Sequence, residues 1–368
     1  MKFIYKSIRP RAPTDSTLHN DRPGTRVDIN IDHPDEEVTQ RLLEDPITDV
    51  LHIQGLTKTF PLSHSDQQRV VVDDLWLSLR HNECLGYLGP NGAGKTTTIE
   101  MLIGALSPTF GNATIEGYSI VPYSLELKQL LGVCQQSDIL IPELTGREHL
   151  RLYASLRCPN NAAEAVGTII NEMTLQEVAD QRVGTYSGGN KRRLSIAMAA
   201  VGNPKVLILD EPTAGVDISA RKSIWEAIRK LKKSNSIILT THSMEEADAL
   251  CDRIGIIVKG RLAALGTPQR LKNTYGKGYK VSLQTNSLST VEAAVQRMFQ
   301  RFDNQDEQIR LLRRLGCHVV FEISGTTLGK IFRFLQEIKS PLDIVNHTVA
   351  QPTLTQVFVE FAKQQGVE

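Results

Sequence analysis

The sequence predicts an α/β domain built around a buried, partly parallel sheet, with a helical insertion, followed by a small α+β unit. Three observations carry this. Short apolar runs alternate with polar or helix-prone segments from Val50 onward. Strand-like runs vanish between about 137 and 200, where helical spacing takes over. After Gly276 the pattern changes again, to two-residue alternation interleaved with two helical stripes.

Residues 1–46 are rich in proline and acidic residues and hold few aromatics, so they bury too little apolar surface to offset ordering and read as a polar linker or tail. The domain expected over 47–274 follows. Its strand-like runs are Val70–Val72, Cys84–Leu88, Val206–Leu209, Ile237–Leu239 and Ile254–Val258, nearly continuous in apolar character as strands buried on both faces must be. A second domain is expected over 275–368. Tyr279, Val281 and Leu283 alternate with polar residues as a half-buried strand, and Val291, Ala294, Val295, Met298, Phe299 and Phe302 recur at helical spacing. A strand around Ile309–Arg314, a turn near Gly316 and the alternating Cys317, Val319, Phe321 and Ile323 come next. A stripe of Leu328, Ile331, Phe332 and Leu335 and a strand over Asp343–Val349 complete the order β-α-β-β-α-β, that of a ferredoxin-like sandwich. Leu354, Val357, Phe358 and Phe361 predict a last amphipathic helix, docked on this unit or on the preceding one.

Composition narrows the function classes. A formal charge of +1 gives no reason to expect a nucleic-acid partner, and the 40% hydrophobic content is that of a globular chain. No apolar run reaches the ~18 residues that would span a bilayer. The five cysteines are odd in number, scattered and never spaced as C-x-x-C, which fits reduced thiols on the cytosolic side.

Chemistry concentrates in three motifs. Gly89-Pro90-Asn91-Gly92-Ala93-Gly94-Lys95-Thr96 fits G-x-x-x-x-G-K-[ST] between an apolar strand and a helix-prone stretch beginning at Thr97. Glycines let successive N–H groups approach phosphate oxygens, the helix start adds its dipole, Lys95 reaches the β- and γ-phosphates, and the Thr96 hydroxyl suits Mg²⁺. The strand Val206–Leu209 ends in Asp210 and Glu211. Asp210 suits a contact to the same metal, and Glu211 is placed to polarise a water against the γ-phosphate. Upstream lies Tyr186-Ser187-Gly188-Gly189-Asn190-Lys191-Arg192-Arg193-Leu194-Ser195, a serine and two glycines ahead of a helix-prone run, able to offer a capping hydroxyl and free N–H groups to an anion.

In this order and context the motifs resemble the nucleotide-binding domain of ATP-binding cassette (ABC) transporters, continuously over about residues 50–272. The resemblance implies a P-loop NTPase fold, ATP and Mg²⁺ as cofactors, and roles for further residues. Phe60 matches the aromatic that stacks on adenine, the alternative being a core residue of an edge strand. Gln136 matches the lid glutamine that senses Mg²⁺ and the γ-phosphate, with Gln135 beside it as the other choice. Asp217 matches the loop that crosses between two cassettes, and His242 the switch histidine. The nucleotide-binding set is then Phe60, Gly89 to Thr97, and Ser187, Gly188 and Gly189; the metal set is Thr96, Gln136 and Asp210; and Glu211, His242 and Gln136 are catalytic. The resemblance also implies that Ser187–Gly189 close over ATP held by a partner domain in a head-to-tail dimer.

Asn190 and Tyr186 in the signature, the stretch Leu144–Leu150, and Asp35-Glu36-Glu37-Val38 look like the A subfamily of eukaryotic ABC transporters, and the ferredoxin-like unit is similar to the regulatory domain there. This implies an ATPase on the cytoplasmic face of a membrane, powering transport of lipids or sterols through transmembrane domains that this chain lacks, with Ile139, Leu140, Ile141 and Leu144 facing a coupling helix. On that reading the chain is a C-terminal fragment, a truncated product or a free subunit. The alternatives are a stand-alone ATPase subunit of a drug or polysaccharide exporter and a soluble non-transport ABC ATPase. The lack of heptads and of a basic stripe counts against the second.

Overall fold

The computed structural model describes residues 49–61, 68–276, 278–305 and 307–364. The expected tail over 1–46, with its acidic stretch, lies outside the described residues.

Six strands form the central sheet. Parallel β6 (Leu131–Cys134), β7 (Val206–Asp210), β8 (Ser236–Thr240), β3 (Cys84–Leu88) and β9 (Arg253–Val258) lie side by side in that order, and antiparallel β10 (Arg261–Gly266) closes the edge. Every residue of β3 and β8 is buried, as a sheet covered on both faces requires. Alternation then sorts the side chains. Leu207, Leu209, Ile237, Leu239, Cys84 and Leu88 face one core, whereas Val206, Ile208, Ile238, Leu85 and Tyr87 face another.

The second of these cores lies against an antiparallel sheet of order β2-β1-β4-β5, made of β1 (Asp49–Pro61), β2 (Gln68–Arg80), β4 (Phe110–Ile115) and the short β5 (Tyr118–Ser119). Helix α1 (Lys95–Leu102) contributes Ile99, Met101 and Leu102 to the same core. On the opposite face pack α3 (Gly146–Arg157), α4 (Ala162–Glu172), α5 (Gly188–Ala200), α6 (Ile218–Leu231) and α7 (Met244–Leu250), while α2 (Leu125–Leu130) leads into β6. No strand is present among residues 137–200, in line with the helical insertion read from the sequence.

Two local devices shape that insertion. Thr145 and Glu148 form a reciprocal capping box at the start of α3: the Glu148 N–H donates to Thr145 Oγ1 (3.2 Å) and the Thr145 N–H to Glu148 Oε2 (2.8 Å). Buried His149 pins the segment before it, because the Ile141 N–H donates to Nε2 (2.9 Å). The proton therefore sits on Nδ1, which donates to the Thr145 carbonyl (2.8 Å).

After α8 (Pro268–Tyr275), β11 (Tyr279–Thr285), α9 (Leu288–Phe302), β12 (Gln308–Leu315), β13 (His318–Ser324), α10 (Leu328–Lys339) and β14 (Ile344–Ala350) make the ferredoxin-like unit, with antiparallel order β12-β13-β11-β14. One face of the sheet carries Val281, Leu283, Val319, Phe321 and Ile323 into a core with both helices. The expected α10 stripe is corrected at one position. Phe332 is 41% exposed, and Phe334 turns inward instead, its ring 5.4 Å from that of Phe302. Residue 332 is about 100° round the helix from Ile331, while 334 is nearly a full turn on and shares its face.

The last helix, α11 (Leu354–Gln364), chooses between the two docking surfaces left open by the sequence. Leu354, Val357 and Phe361 are buried in the core of the six-stranded sheet, and Phe361 packs edge-on against Tyr275 with ring centroids 5.0 Å apart. The chain thus returns to its first unit after building its second. No helix among the described residues is long and apolar enough to cross a membrane.

Candidate functional site

The glycine-rich loop leaves β3 and enters α1 with Gly94 at φ +101°, a left-handed conformation open to glycine. A Cβ there would also stand 2.6 Å from the Val71 carbonyl oxygen, so backbone approach and backbone angle both exclude a side chain. Lys95 turns back over the loop, its Nζ donating to the carbonyls of Gly89 (2.7 Å) and Pro90 (3.3 Å). Burial lowers the Lys95 pKa from the usual lysine range, and the carboxylates of Glu211 and Asp210 nearby oppose that shift. The Thr96 side chain is exposed at the helix start, and Thr97 follows it in the first turn.

Asp210 ends β7 opposite Thr240 of β8, whose hydroxyl donates to Asp210 Oδ1. The next residue, Glu211, takes φ +47°, which costs a side-chain-bearing residue of order 1–2 kcal/mol. Its N–H is held by the Thr240 carbonyl (3.0 Å) and hydroxyl (3.1 Å). This turn aims the carboxylate between two partners from distant parts of the chain. Gln136 Nε2 donates to Oε2 (3.1 Å), and His242 Nε2 lies 2.9 Å from Oε1. The Glu211 side chain keeps 18% exposure and that of His242 46%, so the group is open on one side. With its amide N–H on Glu211, the carbonyl oxygen of Gln136 is left for another partner. Both glutamines lend backbone carbonyls to Arg192, and it is the Gln136 side chain that bonds to Glu211.

Ser187 caps α5, its Oγ accepting from the Asn190 N–H (3.3 Å). Space around Gly188 is open, whereas a Cβ on Gly189 would meet the Ala220 side chain at 2.7 Å. None of these three shares a hydrogen bond with Lys95 or Glu211 among the described contacts. Asp217 caps α6: Oδ1 accepts from the Ser219 hydroxyl (2.6 Å) and the Ala220 N–H (2.9 Å), and these bonds, the hydroxyl first, hold its carboxyl below the usual range. Phe60 stands on the antiparallel sheet with the Lys58 ammonium 5.3 Å from its ring centre.

Two residues that organise the site were not singled out from the sequence. Thr240 was visible only through strand register, and Arg192 was one cation in a basic run. Arg192 is buried and donates to six acceptors around Gln136 and Glu211.

Comparison with known proteins adds a family. Residues 72–214 match the family model described as ABC transporter. The chain is similar to human ATP-binding cassette sub-family A member 2, 42% identical over 334 residues, which is 89% of this chain and 14% of that protein. It is equally similar, at 42% over 329 residues, to the human retinal-specific phospholipid-transporting ATPase ABCA4, covering 86% of this chain and 14% of that one. Against the Arabidopsis thaliana ABC transporter A family member 8 the identity is 36% over 358 residues, 94% of this chain and 39% of that protein. The chain therefore spans a minor part of these relatives. Among solved structures, an ATP-binding subunit of an ABC transporter superposes with a TM-score of 0.54 at 28% identity, over 62% of this chain and 93% of that one. A dimeric ATP-binding cassette bound to ADP and Pi gives 0.52 at 22%, over 59% and 98%, a likeness of fold.

Proposed function

The chain belongs to the ABC transporter family, as an ABC-type ATPase cassette akin to those of its A subfamily, and from this premise we propose that it binds and hydrolyses Mg·ATP to power movement of lipids or sterols across or out of a membrane. The observation that carries the reading is the Glu211 carboxylate held between Gln136 and His242, close enough to Lys95 to act on its charge. Residues 47–274 are then the nucleotide-binding domain and 275–368 a regulatory domain.

The geometry supports a role for each residue. Phe60 offers a ring face to adenine at the end of β1. N–H groups of the loop from Gly89 to Gly94 and of the first turn, through Thr96 and Thr97, hold the phosphates. Lys95 exchanges its two carbonyl acceptors for β- and γ-phosphate oxygens. The Thr96 hydroxyl, the Asp210 carboxylate and the Gln136 side-chain carbonyl would hold the metal; all are oxygens, the set that Mg²⁺ prefers. When bound there, the ion would supply charge neutralisation to the phosphates. Glu211 accepts a proton from the attacking water as general base; His242 and Gln136 fix its two oxygens so that the water lies in line.

Ser187, Gly188 and Gly189 belong to the other half of the reading. They head a helix whose first N–H groups and dipole suit a γ-phosphate, and among the described contacts they share no hydrogen bond with Lys95 of their own chain. This supports a head-to-tail dimer in which they close over ATP on a partner cassette, with Asp217 near the crossing. ATP then holds the two cassettes together and hydrolysis releases them. Ile139 and Ile141, 67% and 49% exposed just after the lid glutamine, fit contact with transmembrane domains at the cytoplasmic face.

A phosphate-release assay tests this. Glu211→Gln is expected to slow release by about 100-fold or more while ATP still binds and now holds a stable dimer. Lys95→Ala is expected to lose ATP binding. Wild-type turnover in Glu211→Gln overturns the assignment of the base, and undiminished binding in Lys95→Ala overturns that of the phosphate loop. A Glu211→Gln chain that stays monomeric with saturating ATP, alone or with a cognate cassette, overturns the dimer.

A further inference from the structure

Two consecutive arginines on α5 turn to opposite sides. Arg193 reaches back into the helical insertion, donating to the carbonyls of Met173 (3.3 Å) and Thr174 (2.9 Å) just after α4. Arg192 points into the protein and is 2% exposed. Its Nε donates to the Pro212 carbonyl (2.9 Å). Nη1 donates to the carbonyls of Gln135 (2.7 Å) and Gln136 (3.2 Å) and to Asp138 Oδ1 (2.9 Å). Nη2 donates to the carbonyls of Asp210 (2.8 Å) and Glu211 (3.0 Å).

A guanidinium has five N–H groups fixed in one plane. Six acceptors use all of them, and one carboxylate with five carbonyl dipoles offsets the burial of the charge. Those carbonyls come from the two segments that carry Gln136, Asp210 and Glu211, and from no others. The ladder between β6 and β7 ends at Cys134 and Leu209, and beyond it no other side chain among the described hydrogen bonds holds both backbones at once. The Gln136–Glu211 contact of 3.1 Å joins the tips of the side chains; the Arg192 fork joins their stems.

We propose that Arg192 is a positioning residue for hydrolysis: it sets the lid segment and the Glu211 turn relative to each other and ties both to α5. In the dimer reading, on which this second link rests, the start of α5 touches the partner's nucleotide while Glu211 serves its own. A shift of α5 on engagement of one nucleotide is thereby delivered to the base that acts on the other. Lysine cannot replace the fork, having three donors on one nitrogen at the end of a flexible stem.

The test is steady-state hydrolysis of Mg·ATP, titrated in ATP, by the full chain as wild type, Arg192→Lys, Gln136→Ala and the double variant, with ATP affinity and Tm measured alongside. Arg192→Lys is expected to lower the rate at saturating ATP about tenfold or more while affinity changes less than about twofold. Its factor is expected to shrink by about threefold or more in the Gln136→Ala background, because part of what it positions is gone. The Hill coefficient for ATP is expected to fall to about 1. Factors that simply multiply, or a rate loss matched by lost affinity and Tm, overturn the positioning role. A wild-type steepness retained in Arg192→Lys overturns the link to α5. A coupled cycle in a chain whose Glu211→Gln form never pairs with ATP overturns the dimer reading and leaves the positioning role standing.

Discussion

Glu211 shows how much of the site depends on a few hydrogen bonds. Its left-handed φ is unfavourable for a side-chain-bearing residue, and it persists because Thr240 holds its N–H through both the carbonyl and the hydroxyl. The same hydroxyl donates to Asp210, so Thr240 serves both acids at the strand end. Thr240→Val keeps the shape and removes the hydroxyl, leaving a carboxylate oxygen without its donor. A loss of about 1–3 kcal/mol of stability is expected, read as a lower denaturant midpoint at unchanged m-value. Of the proposed catalytic trio, Glu211 was legible from local spacing, two acids after an apolar strand, whereas Gln136 and His242 entered through the family resemblance, with Gln135 left open beside the first. Thr240 and Arg192 were not legible, because register between parallel strands and the inward turn of one arginine of a pair are settled by the fold.

At the scale of elements, the ferredoxin-like unit is pinned where its second strand begins. Glu307, buried just before β12, accepts from Asn304 Nδ2 (3.1 Å) and from Arg301 Nη1 at the end of α9 (3.1 Å), and Lys330 of α10 reaches it at 3.4 Å. The Asn304 amide foremost, then Thr326 and the Lys330 ammonium, pull its pKa from 4.5 down to about 2. A carboxyl depressed on folding stabilises the native state above its unfolded pKa and loses that contribution as the pH drops through the folded one. The stability gap between wild type and Glu307→Gln is therefore expected to be full at neutral pH and to close as pH falls from 4.5 towards 2, measured by denaturant unfolding along the pH series. Periodicity read these elements well where one face is apolar and less well where helix phase decides. Phe332 and Phe334 are both aromatic on one helix, and the 100° step per residue sends the second inward.

For the whole molecule the decisive contact is α11 on the first unit. An amphipathic stripe announces a helix but not the surface it covers, which is why the sequence left two choices. The structure answers with Phe361 against Tyr275 and with Leu354 and Val357 in the core beneath. Phe361→Ala is expected to cost about 3–5 kcal/mol of stability and to loosen the six-stranded sheet's helical face, not the ferredoxin-like core. Hydrogen exchange in α8 and β9, compared with that in β11 and β13, distinguishes the two.

That contact also orders events during synthesis. A ribosome emits residues 84–271 well before residue 361, so the larger core is complete in sequence yet lacks its final covering until about ninety more residues have emerged. During that interval the seat of α11 is bare apolar surface, a natural target for chaperones, and the smaller unit is assembled while its neighbour is still waiting to be sealed.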